Sequence, residues 1–126
     1  MTRVLDASAV LAAIRGEPGS ERVAPHLASG CISAVNLSEV VGRLASLGAA
    51  PDTLRETFAD FSAEVVPFNE TLAVEAGLLQ PKTRALGLSL GDRACLALAV
   101  VRGLPALTAD RAWADLDLGI EIAVIR

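Results

Sequence analysis

Five short apolar runs recur along this chain, at residues 2–6, 30–33, 64–67, 105–108 and 121–125, and helix-like stretches separate them. Short runs of this kind read as strands, and strands that alternate with helices fold as α/β units. The stretches between them carry their own signals. Ser8 to Ile14 reads as a helix stopped by Gly16-Glu17-Pro18-Gly19, and Ser20 to Leu27 as one or two further turns. Asn36 to Leu47 places Leu37, Val40, Val41, Leu44 and Leu47 on one face at the 3.6-residue period, an ordinary core stripe, with Gly48 just beyond its end. Pro51 sits where a helix begins, and that helix carries Leu54, Phe58 and Phe61. Glu70 to Gln80 is helical up to Pro81, Ser89 to Arg102 is a strongly apolar helix ended by Gly103, and Arg111 to Ala114 is a helical turn.

At 126 residues the chain is one domain, residues 1–126, with no repeat or linker. A domain of this size buries roughly two-thirds of its unfolded surface, enough for a real core. Apolar residues make up 52% of it, so disorder is excluded. Tyr is absent, and with three Phe and one Trp there are few platforms for stacking bases. A net charge of −4 argues against a constitutively basic nucleic-acid binder, but not against a nuclease whose acids are neutralised by metal. Cys31 and Cys95 lack any CxxC spacing and read as buried hydrophobes. No charged leader precedes an apolar segment, and no apolar run approaches eighteen residues, so a cytoplasmic protein outside the membrane is expected.

Four carboxylates stand at the edges of these segments. Asp6 and Asp110 follow apolar runs, whereas Glu39 and Asp92 lie near helix starts. Taken singly, helix capping explains every one of them except Asp6. Asn36-Leu37-Ser38-Glu39 and Ser89-Leu90-Gly91-Asp92 both have capping-box spacing, and Asp110 is placed to cap the turn that follows it. Asp6 or Ser8 can cap the first helix. Taken together, two acids that end strands and two that begin helices meet at one edge of a parallel sheet, where sites in open α/β folds form. All-oxygen ligands suit a hard cation such as Mg²⁺ or Mn²⁺. The single His26 leaves no His/Cys zinc site and no supported Ser-His-Asp arrangement, and no phosphate-binding glycine loop is present.

Four segments of the chain resemble a known family. Val4-Leu5-Asp6-Ala7-Ser8-Ala9, Ser33-Ala34-Val35-Asn36-Leu37-Ser38-Glu39-Val40, Leu88-Ser89-Leu90-Gly91-Asp92-Arg93-Ala94-Cys95-Leu96-Ala97 and Leu107-Thr108-Ala109-Asp110 are similar, in order and spacing, to the motif blocks of PIN-domain ribonucleases, and most of all to VapC-type toxins. The resemblance spans essentially the whole chain, and its third block is the most specific. It implies a three-layer α/β sandwich whose five-stranded parallel sheet has the order 3-2-1-4-5, with helices on both faces. It implies that Asp6, Glu39, Asp92 and Asp110 are metal-binding acids, with Ser8 and Thr108 supporting them by hydrogen bonding; Asn36, three residues before Glu39, is a further candidate supporting residue. It further implies Mg²⁺-dependent hydrolysis of RNA by water, leaving a 5′-phosphate and a 3′-hydroxyl. A cognate antitoxin and a homodimer are the expected partners, consistent with a surplus of Val, Leu and Ala beyond one small core.

Other readings of the same acids stay open. A housekeeping RNase or a catalytically dead PIN domain shares the pattern. A HAD-type phosphatase shares a nucleophilic Asp at a strand end, but Ser8 stands where a second Asp belongs. A receiver-like signalling domain gathers acids around Mg²⁺, but Asp6 has no acidic neighbour and no Lys follows Lys82. Arg93 and Arg111 are read as solvated or locally paired rather than as phosphate ligands, and Trp113 as a core or interface anchor.

Overall fold

All five apolar runs become strands: β1 (Val4–Leu5), β2 (Cys31–Ser33), β3 (Glu64–Val66), β4 (Ala106–Thr108) and β5 (Ile122–Val124). The computed structural model describes residues 2–126; Met1, part of the expected domain 1–126, lies outside the described residues. The strands pair in parallel in the order β3-β2-β1-β4-β5, as expected. The chain therefore winds from β1 outward to β3, then returns to the other side of β1 for β4 and β5. That reversal puts the topological switch point between β1 and β4. A receiver-type doubly wound sheet has the order 2-1-3-4-5, so this sheet excludes that reading.

Side chains alternate across the strands with period two and build two cores. Val4, Cys31 and Ala106 face one side, and their neighbours Leu5, Ile32 and Leu107 face the other. The first side is covered by α5 (Glu70–Leu78) and α7 (Leu90–Arg102), which contribute Leu72, Cys95, Leu96, Leu98 and Ala99. The fully buried Trp113 closes that core, so it is an anchor of the interior. The second side is covered by α1 (Ala7–Arg15) and α3 (Ala34–Ser46) through Val10 and Val40. Each large aliphatic side chain removed from water in this way contributes about 1.5–3 kcal/mol. α7 is buried without a break from Ala94 to Ala99, and Gly103, in the left-handed conformation at φ 63°, ends it. Both cysteines are buried, as a hydrophobic role requires.

The remaining helices are short: α2 (Ser20–Val23), α4 (Pro51–Ala59) and α6 (Gln80–Thr83). β3 forms one open edge of the sheet, and Arg102 at the end of α7 grips its Glu64 through two hydrogen bonds of 2.8 and 3.0 Å. No helix among the described residues is long and apolar enough to cross a membrane.

Two expectations are corrected. Asn36 is not the cap of α3, because the helix starts at Ala34 and Ser33 caps it, accepting from the Val35 amide at 3.2 Å. β2 runs directly into the helix, so the serine ending the strand is the first residue able to cap. The stripe on α3 is also not uniformly core. Only Val40 is fully buried, Leu47 is half exposed, and Val41 lines an open apolar cleft of about 320 Å³ with Ala45, Pro51, Leu54 and Phe58. The periodicity identified an apolar face correctly; only part of that face is covered by this chain.

Candidate active site

Parallel strands bring Asp6, just past β1, and Asp110, just past β4, to the same carboxyl edge on either side of the switch point. Helices packed on a parallel sheet run antiparallel to its strands and so begin near the carboxyl edge, which brings the first turns of α3 and α7 there too. Asn36 and Glu39 come with α3, and Asp92 with α7.

Asp6 is the buried centre. It occupies the N-cap position of α1, yet its side chain makes no cap bond to the helix. Its Oδ2 instead accepts from Ser8 Oγ at 2.6 Å and Thr108 Oγ1 at 2.9 Å. Both hydroxyls are themselves oriented by backbone amides: Ala109 donates to Ser8 Oγ at 2.9 Å and Asp110 to Thr108 Oγ1 at 3.0 Å. The two hydroxyls lie 3.3 Å apart, but each spends its single proton on Asp6. The Asp6 carboxyl is raised to about 6 overall: burial pushes it up most, the Ser8 and Thr108 bonds pull it down, and the nearby charges of Asp92 and Glu39 add to the rise.

The other three acids are tethered in the same manner, each through one oxygen. Asp92 Oδ2 accepts from the Ser89 amide at 2.8 Å while Ser89 Oγ accepts from the Asp92 amide, so the capping box anticipated here is formed. Asp110 Oδ1 accepts from the Ala112 amide at 3.0 Å, capping the 3₁₀ turn Arg111–Asp115 as anticipated. Glu39 Oε1 accepts from Asn36 Nδ2 at 2.8 Å, and the same amide donates to the Gly91 carbonyl at 2.9 Å. In all four acids the second oxygen takes no hydrogen bond from the described residues.

The structure thus brings Asp6, Glu39 and Asp92 within electrostatic reach of one another, and ties Asp110 to them through Thr108. Among the described residues, no three carboxylate, His or Cys side chains stand in position to enclose a cation as they are turned here. The donor chemistry nonetheless fits one. The ligands are hard oxygens, one oxygen of each acid is held by a hydrogen bond while the other takes none from the described residues, and the like charges around a buried carboxylate call for a counter-charge.

Residues outside the cluster fall away from it. Arg93 Nη1 donates to the Ala76 carbonyl at 3.2 Å, joining α7 to α5, and Arg111 Nε donates to the Arg126 carbonyl at 3.0 Å. Lys82 is exposed on α6, and His26 meets Arg3 at 3.1 Å, ahead of β1 and at the opposite edge of the sheet.

The family model of the PIN domain matches residues 3–118. The chain belongs to the PIN-domain family. No curated protein matches it, but solved structures do. This PIN domain is similar to the DNA-bound VapBC from Salmonella typhimurium, at 22% identity and a TM-score of 0.73 over 100% of both chains. It is similar to VapBC-5 from Mycobacterium tuberculosis, a member of the VapBC family of toxin–antitoxin systems, at 25% identity and a TM-score of 0.59, covering 99% of this chain and 98% of that one. It also resembles VapC20 from Mycobacterium tuberculosis, a sarcin–ricin loop cleaving toxin, at 15% identity and a TM-score of 0.73, covering 94% and 98%. These neighbours share the PIN fold from one end of the chain to the other.

Proposed function

We propose that this PIN domain is a Mg²⁺-dependent endoribonuclease, with Mn²⁺ as an alternative cation, and the toxin of a toxin–antitoxin pair. One observation carries the nuclease reading: four acids at the sheet's carboxyl edge, each tethered through one oxygen, with the charges of Glu39 and Asp92 opposing that of the buried Asp6. Asp6, Glu39 and Asp92 would hold the cation, and Asp110 would act beside them on a second cation or an ordered water. When bound, the cation supplies Lewis acidity to water and to the scissile phosphate, near neutral pH.

The chain's own residues do the rest. Ser8 and Thr108 aim Asp6 and favour its charged form. The capping box fixes Asp92 as hydrogen-bond donors behind a ligand orient metal-binding carboxylates elsewhere. With water as the nucleophile the reaction does not require the RNA 2′-hydroxyl, and the lack of a histidine pair in the sequence agrees with this.

The similarity to toxin–antitoxin proteins supports an antitoxin partner, and the apolar cleft between α3 and α4 together with exposed Val74, Leu78, Leu90 and Val101 supports further protein contacts, including a homodimer. Cleavage of a single-stranded RNA in Mg²⁺ by the wild type and by Asp6→Asn and Asp92→Asn tests the nuclease assignment. Loss of cleavage in both variants, and in EDTA, is expected. Full activity in both variants would overturn it. Growth arrest on induced expression, absent for Asp6→Ala, tests the toxin role.

A further inference from the structure

We propose that Asn36 is a positioning residue that acts through Glu39, seating its carboxylate against the first turn of α7 so that α3 and α7 present their acids together. The inference rests on the metal-dependent nuclease reading above and deepens it.

Asn36 is fully buried. With Ser33 capping α3, no free helix end needs its side chain. Both of its amide protons are used, one on Glu39 Oε1 at 2.8 Å and one on the Gly91 carbonyl at 2.9 Å, across 55 positions of sequence. Exchanging the amide's oxygen and nitrogen would aim oxygen at two oxygens, so the orientation is fixed by its partners. The Gly91 carbonyl lies inside α7 and already faces the amide four residues on, so it does not need Asn36. The Asn36 Oδ1, meanwhile, is buried without a partner among the described residues. An unpaired buried amide oxygen is a cost to folding.

A second cost lies on the other side of the contact. Gly91 is in ordinary helical backbone and is absent from the positive-φ glycines, so conformational freedom does not explain it. Glycine inside a helix is destabilising. A Cβ at this position would overlap the Glu39 carboxylate, whereas the exposed glycines on α3 and α5, Gly42 and Gly77, have open space around them. A buried amide with an orphaned oxygen and a helical glycine thus converge on one group, the Glu39 carboxylate. Glu39 is exposed, and without these neighbours its long side chain would sample several rotamers.

The test measures Mn²⁺ binding by calorimetry and metal-free melting for the wild type, Asn36→Leu and Gly91→Ala, each with Glu39 intact and with Glu39→Ala. Both single variants are expected to melt at or above the wild-type temperature, yet to bind Mn²⁺ about tenfold or more weakly, the range seen when the hydrogen-bond partners that orient a metal ligand are removed. In the Glu39→Ala background neither substitution should weaken binding further. The Mg²⁺ concentration for half-maximal cleavage should rise with the Mn²⁺ dissociation constant. Should Asn36→Leu fail to fold, Asn36→Ala, which removes both donated bonds without added bulk, is measured in its place. Wild-type Mn²⁺ affinity in the variants, or an equal further loss without Glu39, overturns the proposal and leaves the nuclease reading standing. A wild-type protein that binds no Mn²⁺ overturns both.

Discussion

Thr108 Oγ1 donates to Asp6 Oδ2 at 2.9 Å while accepting from the amide of Asp110 at 3.0 Å, so one hydroxyl joins the acids that follow β1 and β4. Thr108→Val keeps the shape and removes both bonds. Leaving their partners unpaired should cost about 1–3 kcal/mol in denaturant unfolding. Asp6 should titrate higher still, and cleavage at neutral pH should fall by about tenfold or more. Ser→Ala at Ser8 should act in the same direction, since its hydroxyl makes the shorter bond to the same oxygen.

The buried Asp6 makes stability depend on pH in an unusual sense. Its folded value of about 6 lies above the ordinary 3.8, so between these values the native state holds a proton that the unfolded chain has released. Stability from this group is full below about pH 4 and is lost as the pH rises through about 6, by about 3 kcal/mol in total. Metal-free protein should therefore unfold more easily at pH 7 than at pH 5. Asp6→Asn should flatten that dependence and stabilise the metal-free protein at pH 7 by about 1–3 kcal/mol while abolishing cleavage. Added Mg²⁺ should raise the melting temperature of the wild type at pH 7 and leave that of Asp6→Asn unmoved.

Ser89→Ala removes one half of the capping box on α7. A loss of about 1 kcal/mol is expected by chemical denaturation. Because the Ser89 amide still donates to Asp92, the variant should retain measurable cleavage, in contrast to Asp92→Asn.

Trp113 is fully buried in the core beneath α7 and follows the Asp110 cap by three residues. Trp113→Ala should cost about 3–5 kcal/mol, read from denaturant midpoints. Trp113→Phe should recover most of that stability, because the indole nitrogen has no hydrogen-bond partner among the described residues to lose.

The sheet was legible because each strand is a distinct apolar run, and the edge position of Asp6, Glu39, Asp92 and Asp110 because each stands beside a segment boundary. The caps formed by Asp92 and Asp110 were legible because capping is local, spanning two or three residues. Ser33 displaced Asn36 as the cap of α3 for a different reason: both are good caps, and only the point where β2 ends chooses between them. The bridge from Asn36 to Gly91 leaves no periodic or local trace, since it joins residues far apart in sequence. A glycine two positions into an otherwise regular helix was the only hint of it. Val41 shows the limit of periodicity, which reveals that a face is apolar but not what lies against it.

The edge at β3 bears on how so apolar a chain keeps its sheet to itself. Unpaired strand edges template the addition of further strands. β3 is only three residues long, its Glu64 places a charge on the open margin, and the two bonds from Arg102 hold that charge in place. Any chain approaching to extend the sheet would meet a short register beside a charged pair. A short strand flanked by the charges of Glu64 and Arg102 is the kind of margin that discourages edge-to-edge pairing, and Glu64→Val should make the protein more prone to aggregate, as light scattering would read.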